Sequence, residues 1–317
     1  MKAMVIENFG GAEQLHLDDV PTPKPADNEV LIEVYYAAVN PVDWKIREGH
    51  LKGLIQHEFP VILGWDAAGV IASVGKNVSQ FKKGDEVFAY CRKPLIKWGT
   101  YAEYVSFDAG NVAIKPTNIS FAQAAAIPLA GLTAWQALFD FAKLQSGETI
   151  LVHAGAGGVG SLAIEFARQA GAKVYTTASQ ENHGYVKKLG AHVPIDYRRD
   201  SFAAKILSLE PQGIDVVLDC VGKQTLQDSF QVLKPNGRIV SIVEQVDPAL
   251  AAKHKVHGGF VFVKPSGKQL AEIAELISRG KVIAPNIEEM PLTSAASAQE
   301  KIRQGHTRGK YVLKIKR

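Results

Sequence analysis

The stretch His153-Ala-Gly155-Ala-Gly157-Gly-Val-Gly160 constrains the fold more than any other, because it sets glycines between an apolar run, Thr149–Val152, and an amphipathic one over 161–171. Gly155, Gly157 and Gly160 stand in the G-x-G-x-x-G spacing, after a strand-like run and at the opening of a helix-like one. In such a unit the first glycine permits a tight turn, the second lets backbone approach a pyrophosphate, and the third lets helix and strand pack closely. The amides of Gly158, Val159 and Gly160 then open a helix N-terminus, which favours phosphate charge. By itself a glycine cluster is only a flexible turn; with these flanks it predicts a dinucleotide site.

The next strand-like run ends at Thr177-Ala-Ser179, with no carboxylate at its tip to hydrogen-bond a ribose 2′-hydroxyl. Ser179 can donate to a 2′-phosphate, so NADP is expected rather than NAD, although Glu181 follows two residues on. Ser179 also reads as an ordinary turn or N-cap serine.

From residue 148 the runs TILVH, SLAIEFARQAG, KVYTTA, HGYVKKLGA, IDVVLDCV, TLQDSFQVL and GRIVSIV alternate between strand-like and helix-like. Alternating β and α segments predict an α/β doubly wound parallel sheet with helices on both faces. The first part of the chain differs. Short strands over 3–6, 30–36, 70–74, 86–90 and 101–106 are separated by breakers such as Pro21-Thr-Pro23-Lys-Pro25 and Lys83-Gly84-Asp85, which reads as a β-rich module. From Ser120, an N-cap candidate, SFAQAAAIPLAGLTAWQALFDFAKL has helical spacing interrupted at Pro128. GKQLAEIAELISRG reads as an amphipathic helix closed by Gly280, and KYVLKIK as a strand that returns to the β-rich module. The expected boundaries are therefore 1–122 with 264–317 for one domain and 123–263 for the other.

A chain of 317 residues exceeds the usual single domain of roughly 100–200 residues, which fits two. The net charge of +4 is dispersed, with pairs such as Lys82-Lys83 and Arg198-Arg199 rather than tracts, so nucleic acid is not an expected partner. Cys91 and Cys220 are too few for a disulfide framework or a structural zinc site. The N-terminus lacks the basic-then-apolar order of a signal peptide, and no apolar run reaches ~18 residues, so no membrane association and a cytoplasmic location are expected.

Several ordered motifs carry a resemblance that spans essentially the whole chain: MKAMVIENFGG, AAVNPVDWKIREG, PVILGWDAAGVIASVG, FKKGDEVFAY, GTYAEYV, GLTAWQAL, HAGAGGVG and GHTRGKYVL. Together they resemble the medium-chain dehydrogenases/reductases, and within them the zinc-independent quinone oxidoreductases, nearest the enone and alkenal/one oxidoreductase branch. The resemblance implies a GroES-like β-rich catalytic domain, a Rossmann domain and NADPH as cofactor. It also implies a quinone or α,β-unsaturated carbonyl as the small-molecule substrate.

Zinc enzymes of that superfamily carry a Cys, a Gly-His-Glu motif and a four-Cys lobe. The matching stretches here read Asn40-Pro-Val-Asp43 and Gly64-Trp65-Asp66, so no metal is expected. His57-Glu58 and His254-x-x-His257 read as loop or surface residues. The family's N-x-x-[DE]-x-Y segment maps onto Asn40, Asp43 and Lys45, with lysine in place of the tyrosine. The N-P-V-D-[FW]-K form resembles the plant enone branch, and the Lys45 ammonium can stabilise negative charge that develops on a carbonyl oxygen. The plainer readings make Lys45 a solvated cation, Asp43 its partner or an N-cap residue, and Asn40 a turn residue before Pro41.

By the same resemblance, Thr133, Tyr197, Cys220, Val221, Ile242, Val243, Arg308 and Lys310 lie along the cofactor, with backbone rather than side chain making contact at 220–221 and 242–243; Thr133 also reads as a helix-forming threonine, Tyr197 as a core or surface aromatic, and Arg308 and Lys310 as solvated cations. His153 reads as a buried, hydrogen-bonded histidine. Trp44, Trp65 and Trp98 serve equally as walls of an apolar pocket or as core. Phe260-Val-Phe-Val263 is an apolar run suited to the last strand of the sheet, and its edge suggests a homodimer. A competing class, an NADPH-binding protein without catalysis, is separated from an enzyme by turnover across a panel of acceptors.

Overall fold

The computed structural model describes residues 1–305 and 307–316. The chain divides into two compact units, one of Met1–Leu129 with Lys264–Gly280 and Ala284–Arg317, the other of Ala130–Val263 with Lys281–Ile283.

The second unit holds one six-stranded parallel sheet in the order Val193–Ile195, Lys173–Thr177, Thr149–Val152, Ile214–Asp219, Leu233–Ser241, His257–Phe260. Numbered along this unit, that order is 3-2-1-4-5-6, the doubly wound Rossmann order. The strands read as near-continuous apolar runs because both faces are covered. Leu151, Tyr175, Val217, Ile239 and Phe230 are buried together on one of them. Chain order reverses between Thr149–Val152 and Ile214–Asp219, so the carboxyl ends of these two strands flank the crevice where such sheets take ligands.

In the first unit a seven-stranded sheet is built on the long strand Glu29–Ala38, which pairs antiparallel with Asp66–Val74, Tyr104–Asp108 and Lys310–Lys314. The C-terminal run thus returns to the N-terminal sheet, with Leu313 opposite Ala37. The Gly267–Ser278 helix starts where the Ser266 Oγ accepts from the Gln269 N–H at 3.2 Å and stops before Gly280, whose φ of +66° favours glycine.

Two expectations were displaced. The helical stretch from Ser120 breaks at Pro128 as expected, into Phe121–Ala125 and Pro128–Trp135, since Pro128 has no N–H to continue the ladder, but it then widens into a π-helical turn over Gln136–Phe141 instead of continuing as an α-helix. The last strand is His257–Phe260 and not the apolar run that begins at Phe260. A Cβ on Gly259 would stand 2.3 Å from the Phe141 ring, so the strand must present glycine there. Phe262 turns back to stack on Phe260 at 6.4 Å. Among the described residues no helix is long and apolar enough to cross a membrane.

Candidate functional site

In the parallel unit the Gly158–Gln169 helix opens directly from Gly157, which makes no side-chain cap to its first amides. The three glycines divide their work. A Cβ on Gly155 would lie 2.0 Å from the Thr176 Oγ1, and one on Gly160 would lie 2.3 Å from the Ala154 carbonyl oxygen and 2.8 Å from the Gly155 Cα. Both are glycine because the fold leaves no room. Gly157 is different: its Cβ would meet only the Ala154 oxygen, at 3.3 Å, and its φ of −76° suits any residue. The space over Gly157 is therefore open to a ligand, beside the first amides of the helix, which favour negative charge. The residues fit a dinucleotide pyrophosphate.

At the neighbouring carboxyl edge, Asp219 is fully buried and organises the turn that follows it. Its carboxylate accepts from the Val221 N–H at 3.0 Å, the Gly222 N–H at 2.9 Å and the Ser241 hydroxyl at 2.7 Å. The Ser241 Oγ in turn accepts from the Val243 N–H at 3.2 Å, so one carboxylate sets the backbone at both 220–222 and 242–243. Val221 and Val243 are exposed there, and burial pushes the Cys220 thiol up. Ser179 is buried at the end of Lys173–Thr177 and accepts from Asn182 Nδ2 at 3.0 Å. Glu181 pairs with Arg198 at 3.3 Å, and its own backbone amide, the Ser179 hydroxyl and Arg198 hold its carboxyl below the usual range. Tyr197 is half exposed, with the Arg198 guanidinium 5.7 Å from its ring, and Thr133 is buried on Pro128–Trp135.

In the first unit, Asn40, Asp43 and Lys310 come together in a buried polar cluster. Asn40 follows the Glu29–Ala38 strand and caps the Pro41–Arg47 helix, whose third residue, Asp43, accepts from the Asn40 N–H at 2.7 Å. The Asn40 amide donates from Nδ2 to Asp66 Oδ2 at 2.8 Å, and its Oδ1 accepts from the Lys310 ammonium, which also donates to the Val39 carbonyl at 3.2 Å. Lys310 lies 3.7 Å from Asp66, and the other oxygen of Asp66 accepts from the Leu129 N–H at 2.7 Å. The Tyr101 hydroxyl donates to Asp43 at 2.7 Å. Burial raises Asp43 to about 7, raises Asp66 against the pull of Lys310, and lowers Lys310. The cluster therefore holds one cation for two carboxyl groups, both of which burial pushes toward the protonated form.

This donor set does not fit zinc. The amide nitrogen of Asn40 is a donor committed to Asp66, and the same Asp66 oxygen is already paired with the Lys310 ammonium at 3.7 Å. Among the described residues no three His, Cys, Asp or Glu side chains gather as a metal-holding group. His57 packs on Phe9 and Phe59, and His254 on Phe230.

Lys45 sits on the outer side of the same short helix, half-buried, with its Nζ 5.8 Å from the centre of the Trp44 ring. Arg303 approaches that ring at 5.8 Å as well. Trp65 is core, packed edge-on to Tyr90 at 6.0 Å. Arg308 is exposed. Sequence reasoning passed over Asp219, Tyr101, Thr177 and Ser241; the available signal was a polar residue inside an apolar strand, as in VVLDCV.

Two family models match the chain: an alcohol dehydrogenase GroES-like domain over residues 26–117 and a zinc-binding dehydrogenase over residues 189–313. The chain is similar to the NADPH-dependent alkenal/one oxidoreductase, chloroplastic, of Arabidopsis thaliana, at 36% identity over 99% of this chain and 79% of that one. Among solved structures it is similar to the quinone oxidoreductase from Coxiella burnetii, with a TM-score of 0.89 and 35% identity over 100% of this chain and 99% of that one. It is also similar to Escherichia coli quinone oxidoreductase complexed with NADPH, with a TM-score of 0.89 and 28% identity over 99% of this chain and 100% of that one. The chain belongs to the medium-chain dehydrogenase/reductase family, among relatives named quinone oxidoreductase and alkenal/one oxidoreductase.

Proposed function

We propose that the protein is an NADPH-dependent oxidoreductase that reduces quinones or α,β-unsaturated carbonyls, enones and 2-alkenals, without zinc. The observation that carries this reading is the glycine loop, in which Gly155 and Gly160 are filled by the fold while the face of Gly157 stays open. NADPH, when bound, supplies a hydride to an electrophilic carbon. The chain's part is to hold the pyrophosphate on the Gly157–Gly160 amides and to set the backbone at 220–222 and 242–243 through Asp219. Ser179 is proposed to donate to the 2′-phosphate, with the carboxylate of Glu181 engaged by Arg198.

At the substrate, Lys45 is proposed as the donor to the carbonyl oxygen, since its ammonium is held by an aromatic ring and by no carboxylate among the described residues. The buried cluster behind it, Asn40 and Asp43 with Lys310, fixes the helix that carries Lys45. Lys45→Ala is expected to lower kcat/KM for a short enone about 10²-fold, within the range for loss of one charge-stabilising donor, with the NADPH Kd unchanged. An unaltered kcat/KM would remove Lys45 from the reaction.

A homodimer paired along the His257–Phe260 edge belongs to the same proposal, supported by the exposed Phe262 beside that edge strand. Sedimentation at micromolar concentration should give twice the chain mass, and a monomer's mass would overturn it. The unpaired Cys91 and Cys220 support a reducing, cytoplasmic location; fractionation into an oxidising compartment would contradict it.

A further inference from the structure

His153 lies immediately before the glycine loop, is fully buried, and has both ring nitrogens engaged: Nδ1 with Thr177 Oγ1 at 3.2 Å and Nε2 with Ser229 Oγ at 2.9 Å. The neighbouring bonds fix the direction of each. The Ser229 hydroxyl donates to the Thr225 carbonyl at 2.6 Å, so toward His153 its oxygen accepts, and Nε2 carries the ring hydrogen. In a neutral ring Nδ1 is then an acceptor and takes the Thr177 hydroxyl hydrogen. That leaves the Thr177 oxygen to accept from the Ala154 N–H, at 3.1 Å. Burial pushes His153 down to about 3, which keeps the ring neutral as this chain of bonds requires. The ring is braced edge-on against Phe202 at 4.7 Å.

The receiving end of the chain is the strained point of the loop. Ala154 has a φ of +53°, a left-handed conformation that costs a residue with a Cβ, and such strain persists only where the surroundings hold it. Its carbonyl accepts from the Gly157 N–H at 3.0 Å and is the atom against which both Gly157 and Gly160 pack. The orientation of the Ala154 peptide therefore decides where the Gly157–Gly160 amides point. The sending end, Ser229, closes the Lys223–Ser229 helix, which starts at Gly222 in the turn held by Asp219.

We propose that His153 is a positioning residue for NADPH, a neutral imidazole that links Ser229 through Thr177 to the Ala154 amide and so sets the glycine loop for the pyrophosphate. This role rests on the NADPH-binding proposal above, and binding to the apo protein tests the two separately. NADPH is titrated by its nicotinamide fluorescence into wild type, Thr177→Val, Thr177→Ser, Ser229→Ala, His153→Phe and the His153→Phe/Ser229→Ala pair, with the thermal midpoint of each apo protein recorded.

Thr177→Val should raise the NADPH Kd about tenfold, the order expected when a buried amide loses its acceptor. Thr177→Ser, which keeps the hydroxyl, should restore it. Ser229→Ala should weaken binding when His153 is present and add nothing in the His153→Phe background. Unchanged NADPH Kd in a folded Thr177→Val protein, or an equal Ser229→Ala effect in both backgrounds, would overturn the role. If His153→Phe does not fold, Ser229→Ala must still weaken binding in the wild-type background, and an unchanged Kd there would overturn it equally. No NADPH binding by wild type would instead overturn the cofactor proposal.

Discussion

Lys310→Met is expected to destabilise the protein by about 3–5 kcal/mol, the range seen when one partner of a buried ion pair is removed and the other charge is left uncompensated. The ammonium is the cation of a buried cluster that contains two carboxyl groups, Asp43 and Asp66. Its loss also leaves Asn40 Oδ1 without its charged donor, so the amide that ties the Pro41–Arg47 helix to Asp66 is free to turn. The same substitution at Lys314, exposed on the same strand, should stay within about 0.5 kcal/mol.

The pH dependence gives a second readout. Burial raises Asp43 to about 7 from its ordinary value of 3.8, so between these values the folded protein binds a proton that the unfolded chain releases. Stability from this group is therefore present at low pH and is lost as pH rises through that window. Lys310 favours the ionised form of both Asp43 and Asp66, so the variant should fall further behind wild type as pH rises from about 5 to about 8. Thermal midpoints across that range measure it. A gap that is small and constant with pH would contradict the assignment of Lys310 as the cluster's cation.

Gly160→Ala and Gly157→Ala should separate fold from ligand within one motif. The Gly160 Cβ would stand 2.3 Å from a backbone oxygen and 2.8 Å from a backbone carbon, neither of which can move without displacing the loop. The apo protein should therefore melt several degrees lower, as a loss of about 2 kcal/mol or more implies, and NADPH binding should weaken at least about tenfold. Gly157→Ala meets one oxygen at 3.3 Å, so the apo midpoint should hardly change. Its methyl group, however, occupies the space through which a pyrophosphate would approach, and NADPH affinity should fall by a similar factor. Wild-type NADPH affinity in Gly157→Ala would show that the open face is not the phosphate site.

Much of this was legible because the signals are local. The strand and helix runs from residue 148 differ in period, and the G-x-G-x-x-G spacing lies within six residues between them. The β-rich part was readable from its breakers, and the homecoming of KYVLKIK from its strand pattern. What escaped depends on distant parts of the chain. Asn40 meets Asp66 across 26 positions and Lys310 across 270, and His153 meets Thr177 across 24 and Ser229 across 76. No window of sequence contains those partners. Hence Asn40, Asp43 and Lys310 were each singled out, two for catalysis and one for the cofactor, without the sequence revealing that they form one cluster. The π-helical turn at Gln136–Phe141 escaped for another reason: its apolar spacing is that of an α-helix, and only packing decides its width.

The most direct test of the central claim is oxidation of NADPH by the purified protein, followed at the absorbance of the reduced nicotinamide, with a short enone, a 2-alkenal and a quinone, each with and without a metal chelator. Turnover of NADPH that the chelator does not change is the predicted result, with the preferred acceptor naming the branch. Tight NADPH binding with no turnover on any of the three acceptors would contradict it and make the protein a cofactor binder, and turnover abolished by the chelator would contradict the zinc-free site.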